Sequence, residues 1–224
     1  MLFGPRIFDE VAGKSVIDYG CGNGREAVEL AERGAARVIG LDIQEQGLVD
    51  ARAWAQVRGV AGLCVFTRTT SEKVDVIISI DAFEHYTDPA AILADMAERL
   101  KPGGCVWASF GPTWLHPFGG HFVSIFPWSH LIFTEEALMR WRNDFKHDGA
   151  KKFAEVEGGA NQMTIRRFEE LVEKSAFRFE HMEPRPIRAA RKLHSRLTRE
   201  FLTSMVNCKL VAKADREMAS AAAK

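Results

Sequence analysis

Short apolar runs and amphipathic stretches alternate along the first half of the chain. "KSVIDYG" is a β-branched run that ends in glycine, and it predicts a buried strand. A helix is expected from about Asn23 to Arg33, stopped by Gly34. "ARVIGLDI" predicts a second strand, followed by a helix over roughly Gln46 to Arg58 that ends at Gly59. "GLCVFTRT" and "VDVIISID" read as strands three and four, and the Val and Ile of the fourth predict burial on both faces. Asp88 can cap the next helix, Pro89 suits its first position, and Ile92, Leu93, Met96 and Leu100 share one face. After "LKPGG" comes a fifth strand, "CVWASFG". Such alternation argues for a parallel sheet covered on both sides.

The rhythm breaks at Pro112 and returns near residue 163. Between them only one helix is expected, Glu135 to about Lys146 with Thr134 as cap, so residues 112–163 read as an insertion. "TIRRFEELVEKSA" is then an amphipathic helix, and "FRFEHME" and "TSMVNCKLVAK" are two final strands. In the segment between those strands, Ala190, Leu193, Leu197 and Phe201 fall at helical spacing among Arg185, Arg188, Arg191, Lys192, Arg196 and Arg199. A solvated helix face over a core stripe is the plain expectation there. Peripheral contact with a lipid surface by residues 185–201 is the functional alternative. The whole chain of 224 residues is expected to be one α/β domain.

Composition narrows the partners. Thirty basic and thirty acidic side chains cancel, which removes a whole-molecule field for nucleic acid. Cys21, Cys64, Cys105 and Cys208 form no CxxC pair, and buried reduced thiols suit a cytoplasmic protein. Neither a secretory signal nor a bilayer-spanning run is visible.

The chemistry concentrates in "VIDYGCGNGREA", where Gly20, Gly22 and Gly24 fill three of five positions between strand and helix. In an open α/β sheet that junction is where a ligand crevice lies. The spacing is G-x-G-x-G, and Arg25 stands where a dinucleotide fingerprint has its third glycine. Asp18 beside a pyrophosphate would repel it, whereas beside an ammonium group it would attract. Asp42, at the end of the second strand, can accept from both ribose hydroxyls. The pair suits a nucleoside with a cationic amino-acid tail better than a nicotinamide dinucleotide. A short-chain dehydrogenase would need Tyr-x-x-x-Lys, but Tyr19 and Tyr86 are followed four positions later by Asn23 and Ala90.

"VIDYGCGNG", "VIGLDI", "VDVIISIDAFEHYTDP" and "RLKPGG", in that order and spacing, resemble the class I S-adenosylmethionine-dependent methyltransferases. The likeness is to the broad group that includes the ubiquinone- and menaquinone-biosynthesis type. The resemblance implies a doubly wound, Rossmann-like seven-stranded sheet with its last strand antiparallel, and S-adenosyl-L-methionine as cofactor. It implies that Asp18, Tyr19, Gly20, Cys21, Gly22 and Gly24 line the methionine part, that Asp42 holds the ribose, and that Ile43 packs on adenine. Ile80 and Asp81 would lie near the methionine tail and the sulfonium. The acid that many relatives carry after the third strand is missing, so Thr67, Arg68 or Thr69, or a backbone group, must serve the adenine. "DAFEHY" also departs from the N/D-P-P-Y/F of enzymes that methylate nucleic-acid amines.

A small-molecule acceptor, methylated on oxygen with a histidine as base, is therefore the leading expectation. Carbon or nitrogen methylation, a macromolecular acceptor and a non-catalytic interaction protein are the alternatives. His121 follows two glycines and is the first candidate base, with His85 in "FEHY" the second. Trp114, His116, Trp128 and His130 are candidate acceptor contacts, because residues 112–163 are expected to cover the substrate. No metal site is expected, since Asp and Glu are absent from Ser109 to Thr134 and the histidine spacing suits no zinc pattern.

Overall fold

In a computed structural model, which describes residues 3, 4, 6–120, 124–147, 149–156 and 161–214, the apolar runs form one sheet of seven strands. Chain order is α1 (Arg6–Val11), β1 (Ser15–Tyr19), α2 (Arg25–Glu32), β2 (Arg37–Leu41), α3 (Glu45–Val57), β3 (Cys64–Thr67) and β4 (Val74–Ile80). It continues with α4 (Pro89–Arg99), β5 (Leu100–Phe110), α5 (Ser129–Ile132), α6 (Glu135–Arg142), α7 (Ile165–Lys174), β6 (Phe177–Pro186), α8 (Arg199–Leu202) and β7 (Thr203–Ala212). Strands are ordered β3-β2-β1-β4-β5-β7-β6. The first five run parallel, and β7 is antiparallel to both β5 and β6. The expected doubly wound sheet with an antiparallel last strand is what the chain forms.

Alternation along the strands divides the core in two. Ile17, Ile77, Val106, Ala108 and Phe110 point to one face, where they meet Leu93 and Met96 of α4 and Phe168 of α7. Val16, Val38, Val76 and Ile78 point to the other face, against Ile7 of α1, Leu30 of α2 and Leu48 of α3. The helix signals act as expected. Asp88 accepts from the Ala90 and Ala91 amides at the start of α4, and Thr164 accepts from the Arg167 amide at the start of α7.

Two regions depart from expectation. Residues 185–201 do not form one helix. β6 continues to Pro186, a 3-10 turn spans Arg188–Leu193, and α8 has only four residues. The reason is closure: Pro186 pairs with Thr203, so the segment must return to where it left the sheet. A continuous helix of that length would end roughly 25 Å away. The expected core stripe is accordingly absent, with Leu193 69% and Leu197 92% exposed. In the insertion, α6 has the Thr134 cap but stops at Arg142, and the short α5 precedes it. Among the described residues no helix is long and apolar enough to cross a membrane.

Candidate cofactor crevice and active site

The chain leaves β1 toward β2 on one side, while β4 pairs on the other. The carboxyl ends of β1 and β4 therefore splay into a crevice, and the glycine run crosses it. Two of its glycines do different jobs. Gly24 sits at φ +72, and a Cβ there would lie 2.6 Å from the Ala51 Cβ, so this glycine lets α2 pack against α3. Gly22 sits at φ +49, and a Cβ there would meet nothing within 4 Å. The side where its Cβ would stand is open, as a close-approaching ligand requires.

The carboxylates are set by the same turn. The Gly22 and Gln44 amides each donate to Asp42, both at 2.8 Å, which fixes the carboxylate at the rim. Each of its oxygens keeps a second lone pair for a hydroxyl. Asp18 is 2% exposed, and its Oδ2 is buried without a hydrogen-bond partner. Burial drives the Asp18 pKa well above the ordinary aspartate value, and repulsion from Glu26 adds to this, while the Ala27 backbone N–H offsets part of it. A buried acid with an unused oxygen in a crevice is a socket for a cationic or hydrogen-donating group. Ile43 is 79% exposed at the crevice edge, free to be covered by a flat ring. Thr67 Oγ1 donates to the Thr69 carbonyl in the turn after β3. These residues fit a nucleoside bearing an ammonium group.

Other members of the run serve the scaffold. The Gly20 and Cys21 amides donate to the Leu41 carbonyl, and Cys21 is buried with its thiol pKa pushed up by burial. The Tyr19 hydroxyl turns away to donate to Asp95 on α4 at 2.8 Å, while its carbonyl accepts from the Tyr86 hydroxyl.

Beyond β4 the segment "DAFEHY" gathers the titratable groups. Ile80 is half-buried, and Asp81 follows at φ 50 with its Oδ1 3.5 Å from the Ser109 hydroxyl. Burial and then Glu26 raise the Asp81 pKa. Glu84, a residue the sequence did not single out, is 2% exposed. It accepts from the Gly111 amide at 2.9 Å, has a buried Oε2 without a partner, and is pushed up to about 8 by burial. Asn161 clamps the segment by donating to the Phe83 and Tyr86 carbonyls. His85 lies at the solvent edge of the same turn, and the protein packed around it holds its pKa below the ordinary histidine value.

The insertion histidines sit differently. His130 is buried, its Nε2 is 2.6 Å from the Trp114 carbonyl, and its ring stands edge-on to Trp114. His116 Nδ1 accepts from the Phe118 amide, and Trp128 Nε1 donates to the Leu115 carbonyl. His121 lies outside the described residues. Among the described residues no three His, Cys, Asp or Glu side chains come together as a metal cluster.

Comparison with known proteins gives this geometry a context. Residues 16–104 match a methyltransferase domain family. Over 155 residues the chain is 34% identical to a ubiquinone biosynthesis O-methyltransferase of Neisseria meningitidis serogroup C, covering 66% of this chain and 61% of that protein. It is 38% identical over 107 residues to the protein of that name from Idiomarina loihiensis, covering 45% and 44%. The chain thus spans under two thirds of the length of these curated relatives. A crystal structure of an S-adenosylmethionine-dependent methyltransferase from Mesorhizobium loti superposes with a TM-score of 0.62 at 22% identity, covering 92% of this chain and 94% of that one. That likeness shows the fold.

Proposed function

Residues 16–104 are a class I S-adenosylmethionine-dependent methyltransferase domain, and from that premise we propose that the protein transfers a methyl group to an oxygen of a small-molecule acceptor. The carrying observation is that Asp18, with its unused buried oxygen, and the titratable turn Asp81–His85 stand at the ends of adjacent strands. Donor socket and proton-handling groups therefore share one crevice. The relatives named for O-methylation support oxygen as the acceptor atom.

The bound cofactor supplies a methyl carbon already activated on a sulfonium. The chain's own task is to hold it, align the acceptor and take a proton. Asp18 pairs with the ammonium group and Asp42 accepts from the ribose hydroxyls. Ile43 covers the adenine, which Thr67 flanks, and Ile80 and Asp81 border the methionine tail. His85 is the proton acceptor. Its depressed pKa keeps the imidazole neutral at pH 7, and a neutral imidazole can receive the hydroxyl proton as the oxygen attacks. Residues 112–163 cover the acceptor and keep water out.

His85→Asn tests this reading with methyl-labelled cofactor and a metabolite extract. The turnover is expected to fall by roughly 100-fold or more, with cofactor affinity unchanged. In the parent enzyme kcat/KM rises with pH to a plateau, with its midpoint below the ordinary histidine value, because the active form is the deprotonated one. Full turnover in His85→Asn, with loss in His121→Asn instead, moves the base into the insertion. Failure of the purified protein to bind the cofactor at millimolar concentration ends the methyltransferase reading.

A further inference from the structure

The ladder between β1 and β4 ends where Asp18 pairs with Ile78. One residue on, Tyr19 stays with Leu41 of β2 and Ser79 with Ala108 of β5, so the two strands part and the crevice opens. A side-chain hydroxyl spans the gap. Tyr86, from the turn after β4, donates to the Tyr19 carbonyl at 2.9 Å, and its oxygen lies 2.9 Å from the Ser79 hydroxyl. A phenol carries one proton, here given to the carbonyl, so Ser79 is the donor in the second bond. The Tyr86 hydroxyl thus stands in for the next rung of the ladder.

Both sides of this link belong to the crevice. Tyr19 lies between Asp18 and Gly20 of the glycine run. Gly20 sits at φ +79, and a Cβ there would stand 3.1 Å from both the Tyr86 oxygen and the Ala82 Cβ, so the run rests directly on the turn. On the other side, Tyr86 follows His85 in the chain. The same turn is tied again from the end of the insertion. The Asn161 amide donates to the Glu84 carbonyl, and its side chain donates to the Phe83 and Tyr86 carbonyls. The Tyr86 ring stands edge-on to Tyr19 at 6.0 Å and to Phe83 at 5.2 Å, contacts that do not need the hydroxyl. Ser79 is fully buried, so its hydroxyl has no water to turn to when the phenol oxygen is removed.

We propose that Tyr86 is a positioning residue, whose hydroxyl sets the turn that carries His85 against the run that holds the methyl donor. Donor and proton acceptor then keep one spacing. The assignment rests on the methyl-transfer reading above, and spacing matters there because a misplacement of about 1 Å costs roughly 100-fold in rate.

Tyr86→Phe keeps both ring contacts and removes only the hydroxyl. On the full chain, methyl-labelled cofactor with a metabolite extract reads transfer, calorimetry with S-adenosylhomocysteine reads the cofactor site, and amide exchange reads residues 83–86. Transfer at saturating cofactor is expected to fall about tenfold, while S-adenosylhomocysteine affinity changes by less than about threefold. In the parent, S-adenosylhomocysteine should slow exchange in the glycine run and in residues 83–86 together; in Tyr86→Phe it should slow the run alone. Ser79→Ala removes the hydroxyl behind the phenol and should give the same pattern with a loss of about threefold, which carries the test if Tyr86→Phe does not fold. A lower melting temperature with transfer per folded molecule unchanged makes the hydroxyl purely structural and overturns the proposal. Exchange in residues 83–86 of the parent that ignores S-adenosylhomocysteine, with transfer intact, overturns it as well. Coupled exchange in a parent that methylates no acceptor rejects the methyl-transfer reading and keeps the link between run and turn.

Discussion

The glycine crevice and the insertion after β5 are both loops near the sheet, and they treat polar groups in opposite ways. In the crevice, capacity is left unused: Asp18 Oδ2 has no partner, Gly22 opens on space, and Ile43 is bare. In the insertion the ring nitrogens are consumed internally, by His130 on the Trp114 carbonyl, Trp128 on the Leu115 carbonyl and His116 on the Phe118 amide, and the unpartnered atoms there, Thr113 Oγ1, Asn143 Oδ1 and Asn161 Oδ1, are neutral rather than acidic. The insertion also leaves large apolar side chains bare, with Ile125 90% and Ile132 62% accessible. Buried polar groups that satisfy one another hold a shape, and those left unsatisfied are waiting for something. The contrast separates a part of the molecule built for a ligand from a part built first to hold itself together.

The largest effect should come from a pair of substitutions that pull this contrast apart. Asp18→Asn keeps the shape but removes the charge, and cofactor affinity is expected to fall about 100-fold, in the range for truncating a buried charged pair. Thermal stability should hold or rise, because a buried acid without a full set of partners is lost. His130→Ala should do the reverse, costing about 2 kcal/mol of stability while cofactor affinity stays within a factor of about two. Calorimetry and thermal melts on the two variants read this directly. If both variants lose affinity together, the two regions are one site and the contrast is empty. Proton linkage sharpens it further. A cationic ligand beside Asp18 opposes the burial that raises its pKa and so lowers that pKa on binding. Binding should then release protons, and affinity should grow as pH rises toward that pKa.

How much was readable in advance follows the same division. The crevice was legible because a seven-residue run carries both the turn and its acid, and because Asp42 marks the end of a strand whose register is fixed by alternation. Glu84 was not legible. Its raised pKa comes from burial among parts distant in sequence, where it meets the Gly111 amide 27 positions away and its carbonyl accepts from the Asn161 amide, and no local pattern encodes that. The segment 185–201 was misread because apolar spacing says what a helix would bury, while the pairing of Pro186 with Thr203 decides whether a helix fits at all. Trp114 and His130 were expected as acceptor contacts from composition. Which of their atoms are already committed is a tertiary fact.

Glu84 gives the next effect. Its pKa is pushed from the ordinary 4.5 up to about 8. The folded state then binds more protons than the unfolded state between those values, so stability falls as pH rises through that window and levels off above it. The upper bound of the change is about 5 kcal/mol. Glu84→Gln retains an oxygen to accept from Gly111 and cannot ionise. Its melting temperature should be nearly flat from pH 5 to 8, whereas the parent declines across the same interval. A parent curve as flat as the variant's would mean that solvent reaches Glu84 and that the turn after β4 is looser than the sheet it leaves.

The smallest effect tests whether the two regions fold together. Asp88 caps α4 by accepting from two amides, and Thr134 caps α6 by accepting from the Ala137 amide at 3.3 Å. Removing either cap costs its own helix about 1 kcal/mol. Where that cost registers depends on what the helix is packed against. Leu93 and Met96 of α4 lie in the main core beside Ile77 and Phe110. Leu138 and Met139 of α6 lie with Phe153 in a small cluster of their own. Asp88→Ala should therefore lower the global melting temperature, since opening α4 opens the sheet. Thr134→Ala should leave that temperature within about a degree of the parent and speed amide exchange in α6 alone, as local opening does. An equal drop in melting temperature from both caps would mean that the insertion is welded to the sheet, and the difference between the two regions would then be one of chemistry and not of stability.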